Sequence, residues 1–195
     1  MSKVLDHNVF LVKEHVGLFK AANNFDIFNP ENGEMLLQCR EPNLGFITKL
    51  LRFSDYKRMT PFDIQITAVD GERIVRLQRG VSLFLSKVEV RDQDNQVIGY
   101  FKQKLFSIGG KFDVLNEHEE IVCELEGKWS GWDFRFKQAS IELAHVSKKW
   151  GGLGKELLTS ADNYILELNP EMSHDDNTRK LILAAVMCID MVLKE

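Results

Sequence analysis

The sequence predicts a mainly β protein: a closed antiparallel β-barrel around a buried hydrophobic C-terminal α-helix. Two observations carry that prediction. Short two-sided apolar runs recur along most of the chain, each punctuated by a polar turn. The one long apolar run comes last, at residues 181–193 (LILAAVMCIDMVL). The 195 residues suit one domain, 1–195, with 1–20 as an N-terminal segment and 174–194 as the central helix.

The strand runs come in pairs. FDIF at 25–28 leads through a turn containing Asn32-Gly33 to MLL at 35–37. FDIQI at 62–66 leads through Asp70-Gly71 to RIVRL at 73–77. VEV at 88–90 turns into VIGYF at 97–101, and FDV at 112–114 turns into IVCEL at 121–125. Asn-Gly and Asp-Gly supply the positive φ that tight hairpins demand. FRFK at 134–137 and IEL at 141–143 alternate strictly but slip in phase, which a hairpin turn at 138–140 explains. The shared motif, an aromatic residue, Asp and then Ile or Val before a turn, is a degenerate internal repeat. Five or more hairpins at near-regular spacing argue for a barrel or sandwich.

Two stretches break this pattern. Residues 44–53 place apolar side chains at helical spacing, with Lys49 and Arg52 off the stripe. The tail is the other. Ser173 to Asp176 fits a capping box, and from Leu181 the helix is apolar on every face. Such a helix must be buried all round, and the simplest place in a β protein is a barrel lumen. It is too short to span a bilayer, which takes about 20 apolar residues. Asp190 interrupts the run, and a carboxylate there is expected to be paired or hydrogen-bonded at the barrel mouth.

Composition narrows the function classes. With 44% hydrophobic and 28% charged residues the chain is an ordinary globular protein. A net charge of −4 gives no global basic footprint, so nucleic acid is not an expected partner. Cys39, Cys123 and Cys188 form neither a disulfide framework nor a zinc motif. The first fifteen residues lack a signal-peptide h-region. Both facts favour a cytoplasmic location. The five histidines show no metal spacing, and no catalytic triad can be placed, so the chain is read as a non-enzyme without a cofactor.

The motif Ser147-Lys148-Lys149-Trp150, followed by Lys155-Glu156, Thr159, Ala161-Asp162-Asn163 and Tyr164, resembles the pattern of the phospholipid scramblase family. The likeness is to its short bacterial-type members. It is dense over 110–195 and looser over 20–110. This resemblance implies the tubby C-terminal-like fold, a barrel threaded by its last helix. It also implies calcium-triggered movement of phospholipids between leaflets. The Pro-rich arm and the palmitoylated Cys cluster of eukaryotic members find no counterpart in four Pro and three scattered Cys. The family's calcium loop opens with an Asp where this chain has Ser160. Asp162, Asn163 and Glu171 are the calcium candidates that remain, too few carboxylates for a strong site.

The candidates for lipid headgroups are Lys49, Arg52, Lys57 and Arg58 in a basic amphipathic stretch, together with Lys148 and Lys149. Strand residues Glu89, Arg91, Arg135 and Lys137 oppose a lipid-facing barrel wall. The expectation is therefore a cytoplasmic protein, peripheral at the inner face of a membrane, that meets anionic phospholipid. The alternative is a soluble module of the same fold that holds a protein partner or a ligand.

Overall fold

The computed structural model describes residues 3–14, 24–42, 60–81, 87–103, 112–128, 133–148, 163–173 and 177–193, with the backbone alone at 3, 103, 128 and 190–193. Its strands are β1 (Val9–Glu14), β2 (Phe25–Phe28), β3 (Met35–Arg40), β4 (Phe62–Ala68), β5 (Arg73–Arg79) and β6 (Lys87–Arg91). They continue as β7 (Val97–Gln103), β8 (Phe112–Asn116), β9 (Ile121–Lys128), β10 (Asp133–Gln138), β11 (Ile141–Ser147) and β12 (Asn163–Leu168). The helix α1 (Asn177–Leu193) follows. Each strand pairs antiparallel with its sequence neighbours, and β1 pairs with β12 to close the barrel.

Period-two burial builds the wall. In β4, Phe62, Ile64, Ile66 and Ala68 are buried, while Asp63, Gln65 and Thr67 between them are half-buried. The hairpins joining β2–β3, β4–β5, β6–β7 and β8–β9 share one device. An Asn or Asp side chain accepts backbone N–H groups two residues on, at Asn29, Asp70, Asp92 and Asn116. A positive φ follows at Gly33, Gly71, Asn95 and Glu119. The pairing of each hairpin shifts by one residue just before the turn. This is the type I turn with a bulge that right-handed strand twist favours. It is the physical content of the degenerate repeat. In β10–β11 the tight turn holds Ala139 at φ 52°, and Phe136 pairs with Ala144 while Lys137 pairs with Glu142. Leu143 is thus an extra residue, and the phase slip comes from a bulge as well as from the turn.

The first strand departs from the sequence reading. Residues 1–20 are expected to stand apart, yet Val9–Glu14 supplies the strand that closes the barrel. Phe10 and Val12 join the core, and Leu11 is buried on the opposite face, paired with Ile165 of β12. A strand buried on both faces does not alternate, so it leaves no period-two signal.

The lumen is filled by α1. Every residue from Leu181 to Ile189 is buried, and all nine belong to the barrel's core. The closest approach is at Gly99 of β7. A Cβ there would collide with the carbonyl of Leu115 and sit 2.9 Å from Leu181 Cδ2. A residual gap of about 10 Å³ lies against Phe101, Phe112 and Phe136 of the wall and Ala185, Cys188 and Ile189 of the helix. That is room for about one water with no polar partner, so the gap is dry. The helical backbone includes Asp190, whose side chain lies outside the described residues. The expected capping box falls on 174–176, also outside them.

Strand direction sorts the connections. The tight hairpins, the turn after β12 and the start of α1 gather at one end, the hairpin end. The connections 15–24, 41–61, 80–86, 104–111, 129–132 and 148–162 all leave and return at the other, where α1 finishes.

Candidate functional site

The outer wall carries charged cross-strand ladders. Arg76 of β5 donates from Nε to Oδ1 of Asp63 at 2.8 Å and from its second nitrogen to Oδ2, with Gln78 donating to the same carboxylate. Hydrogen bonding from Arg76 holds the Asp63 carboxyl below its ordinary range. Arg91 meets Glu89 at 2.6 Å, Arg135 meets Glu142 at 3.2 Å, and Lys137 meets Glu126 at 3.8 Å. His145 sits between Asp133, 2.7 Å from Nε2, and Glu167, 3.9 Å from Nδ1. Among the described residues no group of three or more His, Cys, Asp or Glu could hold a metal ion. Glu89, Arg91, Arg135 and Lys137 stand where the sequence places them, on the outside. A wall so charged cannot face acyl chains, since each charge at bilayer depth costs about 2–4 kcal/mol for Arg or Lys. The filled lumen leaves no path through the barrel either. Among the described residues no helix is long and apolar enough to cross a membrane.

Two buried arginines hold the plug. Arg179, in the first turn of α1, is fully buried. It donates to the carbonyl of His7 at 2.8 Å, to Oδ1 of Asn8 at 2.9 Å and to the carbonyl of Met172 at 3.2 Å. One side chain thereby ties together the N-terminal segment, the turn after β12 and the helix. Next to it, Leu168 donates to the carbonyl of Asn8 across the β1–β12 seam at 2.7 Å. At the other end, Arg79 points inward from β5. It stacks 4.6 Å over Phe62 and donates to the carbonyl of Thr60 at 2.6 Å. Its charge also acts on Cys188, which places it toward the C-terminal end of the helix, where the dipole favours a cation. Burial pushes the thiols of Cys39 and Cys188 well up, so both are inert packing groups. The sequence reading missed both arginines. For Arg179 a signal exists: Arg179-Lys180 opens an otherwise apolar helix. For Arg79, the last inward position of an alternating strand, none separates it from an ordinary surface residue.

Of the candidate lipid contacts, Lys148 follows β11 at the end where the longer connections lie and is half-buried. Lys49, Arg52, Lys57, Arg58 and Lys149 lie outside the described residues. The first four belong to the β3–β4 connection and Lys149 to the β11–β12 connection. Among the calcium candidates, Asp162 lies outside the described residues. Asn163 is buried at the start of β12, and Glu171 is exposed in the turn beyond its far end. The strand between them spans roughly 17 Å at about 3.3 Å per residue. One ion with ligands at about 2.3–2.6 Å does not take both. The strand reading of 164–168 is the reason, and β12 bears it out.

Comparison with known proteins follows the same outline. A family model described as Scramblase matches residues 5–195. The chain belongs to the scramblase family. Phospholipid scramblase 2 of Homo sapiens is 22% identical over 98% of this chain and 67% of its own length. Phospholipid scramblase 2 of Bos taurus is 25% identical over 69% of this chain and 50% of its own length. For phospholipid scramblase 1 of Homo sapiens the figures are 24%, 69% and 46%. The chain therefore spans about half to two thirds of the relatives it matches. An X-ray structure of an Arabidopsis thaliana protein superposes with a TM-score of 0.55 at 15% identity, covering 94% of this chain and 91% of that one. The shared fold is the tubby-like barrel around a C-terminal helix.

Proposed function

We propose that this scramblase-family chain is a phospholipid-interacting protein that works from the surface of an anionic membrane, at its inner face, as a peripheral barrel. The observation that carries the reading is a barrel with a charged wall and a filled lumen in a family named for phospholipids. Neither wall nor lumen suits lipid, so contact falls to the connections at one end. The β3–β4 connection there holds Lys49, Arg52, Lys57 and Arg58 among apolar residues, and Lys148 and Lys149 follow β11. Such basic amphipathic segments bind anionic headgroups at about 1 kcal/mol per Lys or Arg. Calcium through Asp162 and Asn163 would act at the same end.

Flotation with phosphatidylserine vesicles, with and without calcium, tests this. Binding at low salt is expected to weaken as salt rises. Reversal of Lys49, Arg52, Lys57 and Arg58 should lower it by two or more orders of magnitude. No flotation of the native protein at low salt, in either calcium arm, would refute the reading and favour a soluble tubby-like module that holds a protein partner or a ligand.

A further inference from the structure

The charges are divided between the ends of the barrel far more than a net of −4 suggests. Segments 1–8, 29–34, 69–72, 92–96, 117–120, 139–140 and 169–176, which strand direction assigns to the hairpin end, hold 13 Asp or Glu and a single Lys. The connections assigned to the other end, with residues 194–195, hold 11 Lys or Arg against 5 Asp or Glu. All three tryptophans, Trp129, Trp132 and Trp150, are in those connections. At the hairpin end, Glu31, Glu72 and Glu117 are exposed at the turn tips. The wall between has its charges largely in cross-strand pairs.

We propose that the barrel docks end-on against an anionic lipid surface, with its connection end down and its hairpin end turned to water. This rests on the phospholipid reading above and adds an orientation to it. Strands of seven residues tilted by about 40° make a wall roughly 18 Å tall. That is about two Debye lengths at physiological salt, so the acidic end feels little of the surface potential in this pose. Turned over, it would meet the surface directly, and the repulsion of 13 carboxylates would oppose contact. Lying on its side, the barrel would bring both ends within reach, and attraction and repulsion would largely cancel. The polarity thus selects one pose, and it also limits binding to surfaces of negative sign.

The experiment uses the full chain with single cysteines introduced at Glu31, Glu117 and Val81, each carrying an environment-sensitive fluorophore. The native cysteines are buried and stay unlabelled. Val81 is 73% exposed and directly follows β5 at the connection end. On phosphatidylserine-containing vesicles with quencher-bearing lipids, the Val81 probe should be quenched and the Glu31 and Glu117 probes should not. Reversal of Glu31, Glu72 and Glu117 to Lys should change affinity less than twofold at physiological salt. Each reversal among the basic connection residues should cost at least fivefold. Quenching of the hairpin probes, or equal sensitivity of both ends to reversal, overturns the orientation while leaving lipid binding intact. Failure of the native protein to bind overturns both.

Discussion

Replacing Arg179 by Met tests whether the helix is latched into the barrel or merely packed there. The Met stem keeps most of the packing and removes at least three hydrogen bonds. They run to the carbonyls of His7 and Met172 and to Oδ1 of Asn8, at 2.8–3.2 Å. Each acceptor left without a donor in a buried site costs about 1–3 kcal/mol. Against that, the variant no longer desolvates a guanidinium, which returns part of the loss. The net expectation is about 3 kcal/mol, a large share of the roughly 5–15 kcal/mol available to a domain. For a chain of this length it lowers Tm by roughly 6–12 °C. Arg179→Lys, a point donor without the planar fork, should recover at most one of the three contacts. Urea unfolding of native and variant proteins gives the magnitude. Hydrogen exchange locates it: protection should fall first at β1 and the first turns of α1, where the N–H of Leu168 bonds to Asn8. A loss under 1 kcal/mol with unchanged exchange at the seam would refute the latch.

Three more outcomes follow from other contacts. Gly99→Ala should destabilise by about 1–3 kcal/mol in the same assay, because the new methyl meets the backbone of Leu115 and the Leu181 side chain at once; a Leu181→Ala background should return part of the loss. Asp63 titrates lower in the folded state than its ordinary value because Arg76 bonds its carboxylate. Its contribution is therefore present above the unfolded pKa of about 3.9 and lost as pH falls through the folded value. Asp63→Asn should flatten the acid limb of a stability–pH curve, with a coupling to Arg76 of about 1 kcal/mol in a double-mutant cycle; an unchanged limb would contradict it. Finally, Cys39, Cys123 and Cys188 should resist a thiol reagent in the native protein and react in denaturant. Cys188 labelled on vesicles but not in solution would mean that α1 leaves the lumen there, against the surface-bound barrel proposed above.

The outward half of each strand and the turn chemistry were readable residue by residue. FDIQI at 62–66 declares its inner and outer faces by alternation, and Asp70-Gly71 declares its turn. β1 was not readable, because Phe10, Leu11 and Val12 are all buried and the alternation disappears. The bulge at Leu143 was half readable: the phase slip is in the sequence, but a turn alone accounts for it until the pairing partners are known. The calcium candidates show the opposite case, with Asn163 and Glu171 close in sequence and a strand's length apart in space.

Local pattern alone determined that this chain is a meander of hairpins ending in a helix that must be covered on all sides, because period, turn residues and all-round apolarity are properties of neighbours along the chain. Tertiary structure decided which strand closes the barrel, which arginines turn inward, and which connections share an end. Those depend on contacts between residues as far apart as Asn8 and Arg179, and no local signal specifies a partner at that distance. The division of the charges belongs to both levels: every carboxylate and lysine is in the sequence, but only the direction of the strands sorts them into an acidic end and a basic one.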